Sequence, residues 1–373
     1  MLPFTESEYE RRLQALRGLM EQRSLEGVVL AEPASVNYYT GYDTLGFWNF
    51  QALLVSRDGE RCIVTFFEEM PRVERIGCRA EGYAFGADPI EAVERGLSGM
   101  GISRGALGTE KSSRYLAPSV LEALSGRLSR LAFTDLGEEV VGLRLVKSPA
   151  ESDYVREAAA ITSQAMRAGL ESLASGGLDR DTAIAMHDKA IGNGSEYFSI
   201  PPLVKFGPTM TEGHLTWRGI HLNAGDGVNL EIAAVRHRYH APLLRCAFAG
   251  QPDAEIADAM DVALTGLEGA LQAIRPGVTG HEVDAASVRA VEGTKYRFQP
   301  AGYSVGVSFP PSWMEAHLLA EGNQTPLERG MTLHVVPCVL IPGVAHVGAS
   351  ETVLVTDTGI EILTDLGRDM TLV

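Results

Sequence analysis

Two long apolar runs joined by a short connection place the strongest constraint on the fold of this chain. Residues 227–234 and 239–249 each read as a buried strand, and only residues 235–238 join them. A connection this short allows antiparallel pairing, because parallel strands need a crossover of a dozen or more residues. Residues 331–340 and 350–356 predict a second strand pair. The sequence therefore predicts antiparallel hairpins in the second half of the chain.

Long helices precede the first hairpin and lie between the two hairpins. In KSPAESDYVREAAAITSQAMRAGLESL, Ser148 has the position of a helix cap and Glu151 completes the spacing of a capping box. Apolar residues at helical spacing predict further helices over 180–191 and 254–274. Helices combined with antiparallel hairpins predict an α+β domain over residues 147–373.

The first part of the chain alternates helix-like and strand-like segments. Residues 8–22 carry apolar side chains at helical spacing, and GVVLA at 27–31 reads as a buried strand. This alternation predicts a smaller α/β domain over residues 1–146. We expect its other strands at 52–55, 61–65 and 106–109, and its other helices at 88–97 and 119–128.

Composition indicates a globular protein that does not bind nucleic acid. Hydrophobic residues make up 45% and charged residues 21% of the 373 residues, which is enough apolar surface for two cores. Acidic residues outnumber basic residues 48 to 32, and a formal charge of -16 repels a phosphate backbone.

Cysteine usage and the N-terminal residues predict a cytoplasmic protein. Cys62, Cys78, Cys246 and Cys338 form no CxxC pair and have no zinc-site spacing, which suits a reducing compartment. The N-terminal segment is charged and amphipathic, without the apolar core of a signal peptide. No apolar run is long enough to span a bilayer, so we expect no membrane contact.

Four ordered blocks resemble the creatinase, prolidase and aminopeptidase P superfamily. They are KSPAESDYVREAA, LNAGDGVNLEIAAV, AGYSVGVSFPPSW and LERGMTLHVVPCVLIPGVAHVGASETVLVTDTG. The stretch VNYYTGYDTLGFWNF resembles the N-terminal domain of the same superfamily, so the resemblance covers essentially the whole chain. It implies a pita-bread catalytic domain, a creatinase-type N-terminal domain and a homodimer.

The resemblance also implies where the metal ligands of the metallopeptidases would lie. Those enzymes hold two metal ions with two aspartates, one histidine and two glutamates. The matching residues here are Glu231, Pro242, Tyr303, Val336 and Ser350. Only one position keeps a carboxylate, whereas a two-metal centre needs carboxylates that bridge and neutralise both ions. We therefore predict a protein without a catalytic metal or other cofactor.

The metal-free branch of the superfamily, with creatinases and ectoine hydrolases, points to His214 as the catalytic residue. In VKFGPTMTEGHLTWRG, His214 matches the histidine that serves creatinases as general acid and base. Imidazole suits this role because it ionises near neutral pH. The alternative is that His214 only closes a loop.

Glu231 and Tyr303 complete the predicted catalytic set. Glu231 lies in an apolar strand, where it can orient His214, bind a cationic substrate or attack as a nucleophile. The alternative is an ion pair with a nearby arginine. The Tyr303 phenol replaces the metal-binding histidine and can donate to a substrate carbonyl or a developing anion. The arginines considered for the ion pair are Arg236, Arg238 and Arg245.

Further positions of the matched blocks are candidates for substrate binding. Tyr239 and His240 face opposite ways on a strand, and we expect His240 to point into the site. Glu315 and Glu351 are the remaining carboxylates of the blocks, and each is equally consistent with a solvated charge. Arg245 has either a structural or a carboxylate-binding role.

The N-terminal domain is expected to contribute an aromatic wall to the site of the partner subunit. Phe47 and Trp48 would form this wall, and Asn49 stands where creatinases have a substrate-binding arginine. The alternative is that the two aromatic residues pack inside the N-terminal domain.

The loss of a dication from a pocket that keeps Glu231 and a second glutamate predicts uncompensated negative charge. An amidinium or guanidinium group neutralises such charge and presents a planar set of hydrogen-bond donors to the carboxylates. We therefore predict a metal-independent hydrolase that cleaves a C–N bond of a small cationic amidine, guanidino or amide compound. The alternatives are a metal-dependent Xaa-Pro dipeptidase or aminopeptidase, a lyase of the same fold acting on an osmolyte, and a binding module without catalysis.

Overall fold

The computed structural model describes residues 2–373 and divides the chain into two units. One unit ends at Arg144 and the next begins at Leu145, two residues before the boundary predicted from the sequence. Within the described residues, no helix is both long and apolar enough to cross a membrane.

The N-terminal unit contains one mixed six-stranded sheet. Its strands are β1 (Gly27–Leu30), β2 (Ala52–Ser56), β3 (Arg61–Phe66), β4 (Arg79–Tyr83), β5 (Gly105–Thr109) and β6 (Leu131–Asp135). Its helices are α1 (Glu6–Gln22), α2 (Pro33–Thr40), α3 (Met70–Arg75), α4 (Pro89–Gly99), α5 (Pro118–Arg127) and α6 (Gly137–Leu145). The strand order is β4-β3-β2-β1-β5-β6, with β1 antiparallel to β2 and parallel to β5. The predicted α/β character of this unit is therefore confirmed.

The C-terminal unit combines four helices with three sheets among the residues described. The helices are α7 (Pro149–Glu171), α8 (Asp179–Gly192), α9 (Ala254–Ala273) and α10 (Gly280–Val288). The strands are β7 (Leu203–Phe206), β8 (Gly227–Arg236), β9 (Tyr239–Phe248), β10 (Arg297–Phe298), β11 (Gly302–Val305), β12 (Met314–Leu319), β13 (Thr332–Val335), β14 (Val339–Ile341), β15 (Ala345–Val347), β16 (Glu351–Val355), β17 (Ile360–Ile362) and β18 (Thr371–Leu372). Their orders are β18-β9-β8-β7, β12-β11-β13-β16-β17 and β10-β14-β15.

The strand predicted over residues 331–340 is wrong, because two separate strands occupy this segment. Strand β13 ends at Val335 and joins the five-stranded sheet, whereas β14 begins at Val339 and joins the three-stranded sheet. Pro337 lies between them and has no N–H to donate to a sheet. The break places Cys338 where the two sheets separate.

Helix α7 covers one face of the β8–β9 hairpin. The predicted capping box of Ser148 and Glu151 is present at its start. The Thr162 hydroxyl donates to the main-chain oxygen of Ala241 and accepts from the main-chain N–H of Ala234, which fixes the helix on the strands. The opposite face of the hairpin remains available for a functional site.

Candidate active site

The hairpin face opposite α7 brings several polar side chains together. Pro242 on β9 lies opposite Ala233 on β8, two residues along from Glu231, so Glu231 and Pro242 share this face. Strand β7 pairs with the other side of β8 and places Lys205 opposite Asn229. The face therefore presents a carboxylate, an amide and an ammonium group on adjacent strands.

Glu231 is a buried carboxylate without a bound partner. Its residue is 8% exposed, and among residues 2–373 its carboxylate forms neither a hydrogen bond nor an ion pair. Burial raises its pKa to about 7, against a smaller lowering by the Lys205 ammonium. The predicted ion-pair alternative is wrong. Arg236 pairs with Glu157, Arg238 donates to Tyr197 and Ser308, and Arg245 pairs with Glu351.

A buried chain of hydrogen bonds holds Tyr303. The Trp313 indole Nε1 donates to the Tyr303 hydroxyl at 2.8 Å, and His334 Nδ1 lies 2.8 Å from the same oxygen. His334 Nε2 lies 2.7 Å from Ser350 Oγ. The histidine therefore bridges two positions at which the metallopeptidases have metal ligands.

The protonation states in this chain follow from burial. Burial, and then Arg245, lowers the pKa of His334 to about 3, so its ring is neutral and carries one N–H. Burial, and then the Glu231 carboxylate, raises the pKa of Tyr303 well above its ordinary value. Tyr303 consequently keeps its proton at neutral pH. That proton is free for a substrate when His334 carries its N–H on Nδ1, because the ring then donates to the Tyr303 oxygen.

The side chains at the five ligand positions do not fit a two-metal centre. Glu231 supplies the single carboxylate, and two other positions hold the apolar Pro242 and Val336. The remaining two positions hold Tyr303 and Ser350. Their hydroxyls form hydrogen bonds with His334, whose ring lies between them. Over residues 2–373, no group of three or more His, Cys, Asp or Glu side chains is arranged to hold a metal ion.

His214 lies on an exposed loop that Lys205 ties to the sheet. The Lys205 Nζ donates at 3.0 Å to the main-chain oxygen of Gly213, the residue before His214. Burial lowers the pKa of the nearby His346, and the charges of Lys205 and His214 lower it further. The loop therefore lies at the end of the site that contains Lys205, and the acid–base role of His214 stays a prediction.

The other two candidate glutamates are neutralised by buried ion pairs. Glu315 pairs with Lys147 at 2.5 Å, and all four side chains in the two pairs are at most 2% exposed. Glu351 binds Arg245 at 3.0 Å and also Arg368 at 2.9 Å. The expectation of uncompensated negative charge at these glutamates is wrong, because each one has a resident cation.

The contacts of Arg245 contradict its predicted place among the substrate-binding residues. Besides Glu351, its guanidinium donates to four main-chain oxygens. Those oxygens belong to Leu244, Ser350, Leu366 and Gly367. Arg245 and Glu351 therefore join β9 to β16 and the C-terminal segment, and both act on structure instead of substrate.

His240 faces the same side of the hairpin as Glu231 but is fully enclosed. It pairs with Val235, farther along β8, and its Nε2 lies 2.8 Å from Ser199 Oγ. Its Nδ1 lies 3.4 Å from the Gly306 main-chain oxygen, and burial lowers its pKa well below the ordinary value. Both ring nitrogens thus have protein partners, and the predicted substrate-binding role of His240 is wrong.

Phe47, Trp48 and Asn49 lie at a short 3-10 turn, Gly46–Trp48, in the N-terminal unit. The Phe47 ring packs edge-on against Tyr115 at 5.8 Å between centroids, whereas Trp48 is 75% exposed. Packing inside the domain therefore describes Phe47 but not Trp48. The aromatic wall and the homodimer that would bring it to the site stay predictions.

Three residues of the site were not predicted from the sequence patterns. Lys205 interrupts the apolar strand LVKF, and His334 interrupts the buried strand TLHV. A polar residue inside an apolar strand is the signal that identified Glu231, and it applies equally to both. Cys338 follows the break after Pro337, and its thiol lies within electrostatic range of Glu231 and Lys205.

The raised pKa of Glu231 predicts how stability depends on pH. The folded protein keeps this proton up to about pH 7, while an unfolded chain releases it near 4.5. Between these values the folded state binds more protons, so the free energy of unfolding falls as pH rises. We expect the loss to be at most about 3 kcal/mol. Urea unfolding across this pH range measures it.

The matched variant for this measurement is Glu231→Gln. Burial also raises the pKa of Glu110, in the N-terminal unit, to about 7, so other carboxyls contribute to the slope. The informative quantity is therefore the difference between wild type and the variant. Identical slopes in the two proteins would show that Glu231 titrates in the ordinary range.

The chain is similar to hydrolases with one shared architecture. The family model of metallopeptidase family M24 matches residues 153–357. The family model of the creatinase/prolidase N-terminal domain matches residues 12–146. The ectoine hydrolase of Halomonas elongata is 28% identical over 99% of this chain and 98% of its own length. The Xaa-Pro dipeptidase of Pyrococcus furiosus is 23% identical over 97% of this chain and 99% of its own length. The solved prolidase of Thermococcus sibiricus superposes with a TM-score of 0.88 over 98% of this chain and 99% of that chain, at 18% identity. The predicted pita-bread fold is thereby confirmed.

Proposed function

The chain belongs to metallopeptidase family M24, and from that premise we propose that it hydrolyses a C–N bond of a small amidine, guanidino or amide compound without a metal ion. The observation that carries the proposal is the donor set at the site. A single open carboxylate, Glu231, lies where a two-metal peptidase needs five ligands, and His334 fills the space between two of the replaced positions. The similarity to an ectoine hydrolase supports a non-peptide substrate.

Each side chain of the site has its own role in the proposed hydrolysis of the C–N bond. Water adds its oxygen to the carbon of the C–N bond, the bond breaks, and the leaving nitrogen takes up a proton. In one route His214 removes the proton from the water that attacks the carbon. In the other route Glu231 attacks the carbon, His214 protonates the leaving nitrogen, and water then hydrolyses the bond between the carbon and Glu231. The Tyr303 hydroxyl donates to the heteroatom on which negative charge develops. Glu231 acts in its ionised form, so we expect activity to rise as pH passes through about 7.

A metal-dependent Xaa-Pro peptidase is the second candidate, favoured by the similarity to dipeptidases and prolidases. Proton NMR of ectoine with chelator-treated protein separates the two. Ring opening without added metal supports the proposal. Cleavage of Xaa-Pro dipeptides that requires added manganese would establish the peptidase instead.

Replacing His214 by alanine is expected to lower the turnover rate by about 10²- to 10⁴-fold, because a positioned acid or base contributes this much. The free energy of unfolding should stay unchanged, since the side chain is exposed. His317 is also exposed and provides the control, His317→Ala, which should keep full turnover. A fully active His214→Ala protein would show that the loop histidine is not the acid or base.

A further inference from the structure

We propose that Lys205 binds a carboxylate group of the substrate, so that the molecule hydrolysed is an acid as well as a C–N compound. This inference rests on the proposed function and names the class of its substrate. Lys205 lies on β7, beside the strand that carries Glu231, and it is 2% exposed. The polar substrate would therefore span two side chains on one face of the sheet formed by β7, β8 and β9.

The Lys205 ammonium is buried without a counterion among the described residues. A buried ammonium has three N–H groups to satisfy and is costly to leave uncompensated. Within residues 2–373, Lys205 forms one hydrogen bond, to Gly213, and no ion pair. Lys147, equally buried in the same unit, shows the usual solution, with the Glu315 carboxylate at 2.5 Å.

The Glu231 carboxyl does not neutralise this lysine. The two groups lie within electrostatic range but form no ion pair, and the carboxyl holds its proton up to about pH 7. The hairpin face thus has an acidic and a basic group that do not contact each other. A substrate with its C–N group at Glu231 and its carboxylate at Lys205 satisfies both.

An unsatisfied hydrogen-bond acceptor lies on Asn229, the residue paired with Lys205 across β7 and β8. Asn229 is fully buried, and its Nδ2 donates to the main-chain oxygen of His346 at 3.2 Å, which orients the amide. Its Oδ1 has no hydrogen-bond partner within the described residues. A carboxylate has no proton to donate to this oxygen, so a ligand that completes this end of the site would carry an N–H or O–H group beside the carboxylate that meets Lys205.

Matched acids and amides test the inference by affinity instead of turnover. Ectoine, creatine and glycyl-proline would each be titrated beside its carboxamide into chelator-treated protein carrying His214→Ala, so that catalysis does not obscure binding. Because a hydrogen bond to a charged group is stronger than one to a neutral group, we expect acids that bind to do so about 10- to 100-fold more tightly than their amides.

Three lysine variants test whether Lys205 causes the preference for acids over amides. Lys205→Met should bind acid and amide equally, at the affinity that the parent protein has for the amide. Lys189→Met removes one positive charge from the exposed side of α8 and should keep the preference. Lys205→Arg keeps the positive charge and should retain part of the preference for acids over amides.

Three results would overturn the inference: equal binding of acid and amide by the parent protein, an equal weakening of both by Lys205→Met, or no binding of any acid in the panel. An equal weakening would assign Lys205 to holding the loop through Gly213. The comparison in the parent protein needs no lysine variant, so a misfolded Lys205→Met leaves the test intact. A protein that binds acids through Lys205 but turns over none of them without metal would retain this inference and reject the proposed function.

Discussion

Replacing Glu231 by glutamine is expected to lower turnover by about 10²- to 10⁴-fold, because the variant would lose the ionised oxygen that we propose as the nucleophile. Glutamine has nearly the same size, and the carboxylate forms no hydrogen bond within the described residues, so the fold should persist. The expected signature is a fall in kcat at unchanged thermal stability near pH 5, measured by NMR turnover assays and circular dichroism.

Glu231→Asp is the matched control for charge. It keeps the carboxylate but withdraws it by one methylene, so the field at Lys205 is retained while the reacting oxygen is displaced. We expect kcat to fall by about 10²-fold or more, as misplacement alone costs this much. An aspartate variant with wild-type kcat would mean that the group supplies only charge.

Replacing Arg245 by methionine destabilises the C-terminal unit by about 3–5 kcal/mol, because it leaves the buried Glu351 without its main partner. The same change removes donors from four main-chain oxygens. Urea unfolding followed by tryptophan fluorescence measures the loss, in a Trp48→Phe background that confines the signal to the C-terminal unit.

Two further variants give this prediction its controls. Arg368 also binds Glu351 but is 29% exposed, so Arg368→Ala should cost less than about 1 kcal/mol. Replacing Arg245 and Glu351 together by methionine should recover most of the lost stability, since removing both charges leaves none buried alone. If the double variant is as unstable as Arg245→Met, packing and the main-chain contacts carry the effect.

Sequence patterns predicted the architecture well, because the features that determine it are local. The capping box at Ser148 and the paired apolar runs of the hairpin specify a helix start and an antiparallel sheet through neighbouring residues alone. The error over residues 331–340 is also local in origin, because Pro337 separates two strands within one continuous apolar run.

The site was harder to predict, because its organisation depends on contacts distant in sequence. The pairing of Glu315 with Lys147 spans 168 positions, and that of Glu351 with Arg245 spans 106. Spacing along the chain therefore identified the carboxylates without revealing which cations neutralise them. The same limit applies to His334, whose role depends on Tyr303 and Ser350 lying on either side of it.

The position of the His334 ring restricts which single substitutions this site can accept. Replacing Tyr303 by histidine or Ser350 by glutamate, one at a time, would place a different side chain against a ring that already occupies the space between them. Each replacement would break a buried hydrogen bond without creating a metal site, so we expect each to lower stability. Building a full set of metal ligands at these positions would therefore require several coordinated substitutions, with His334 among them.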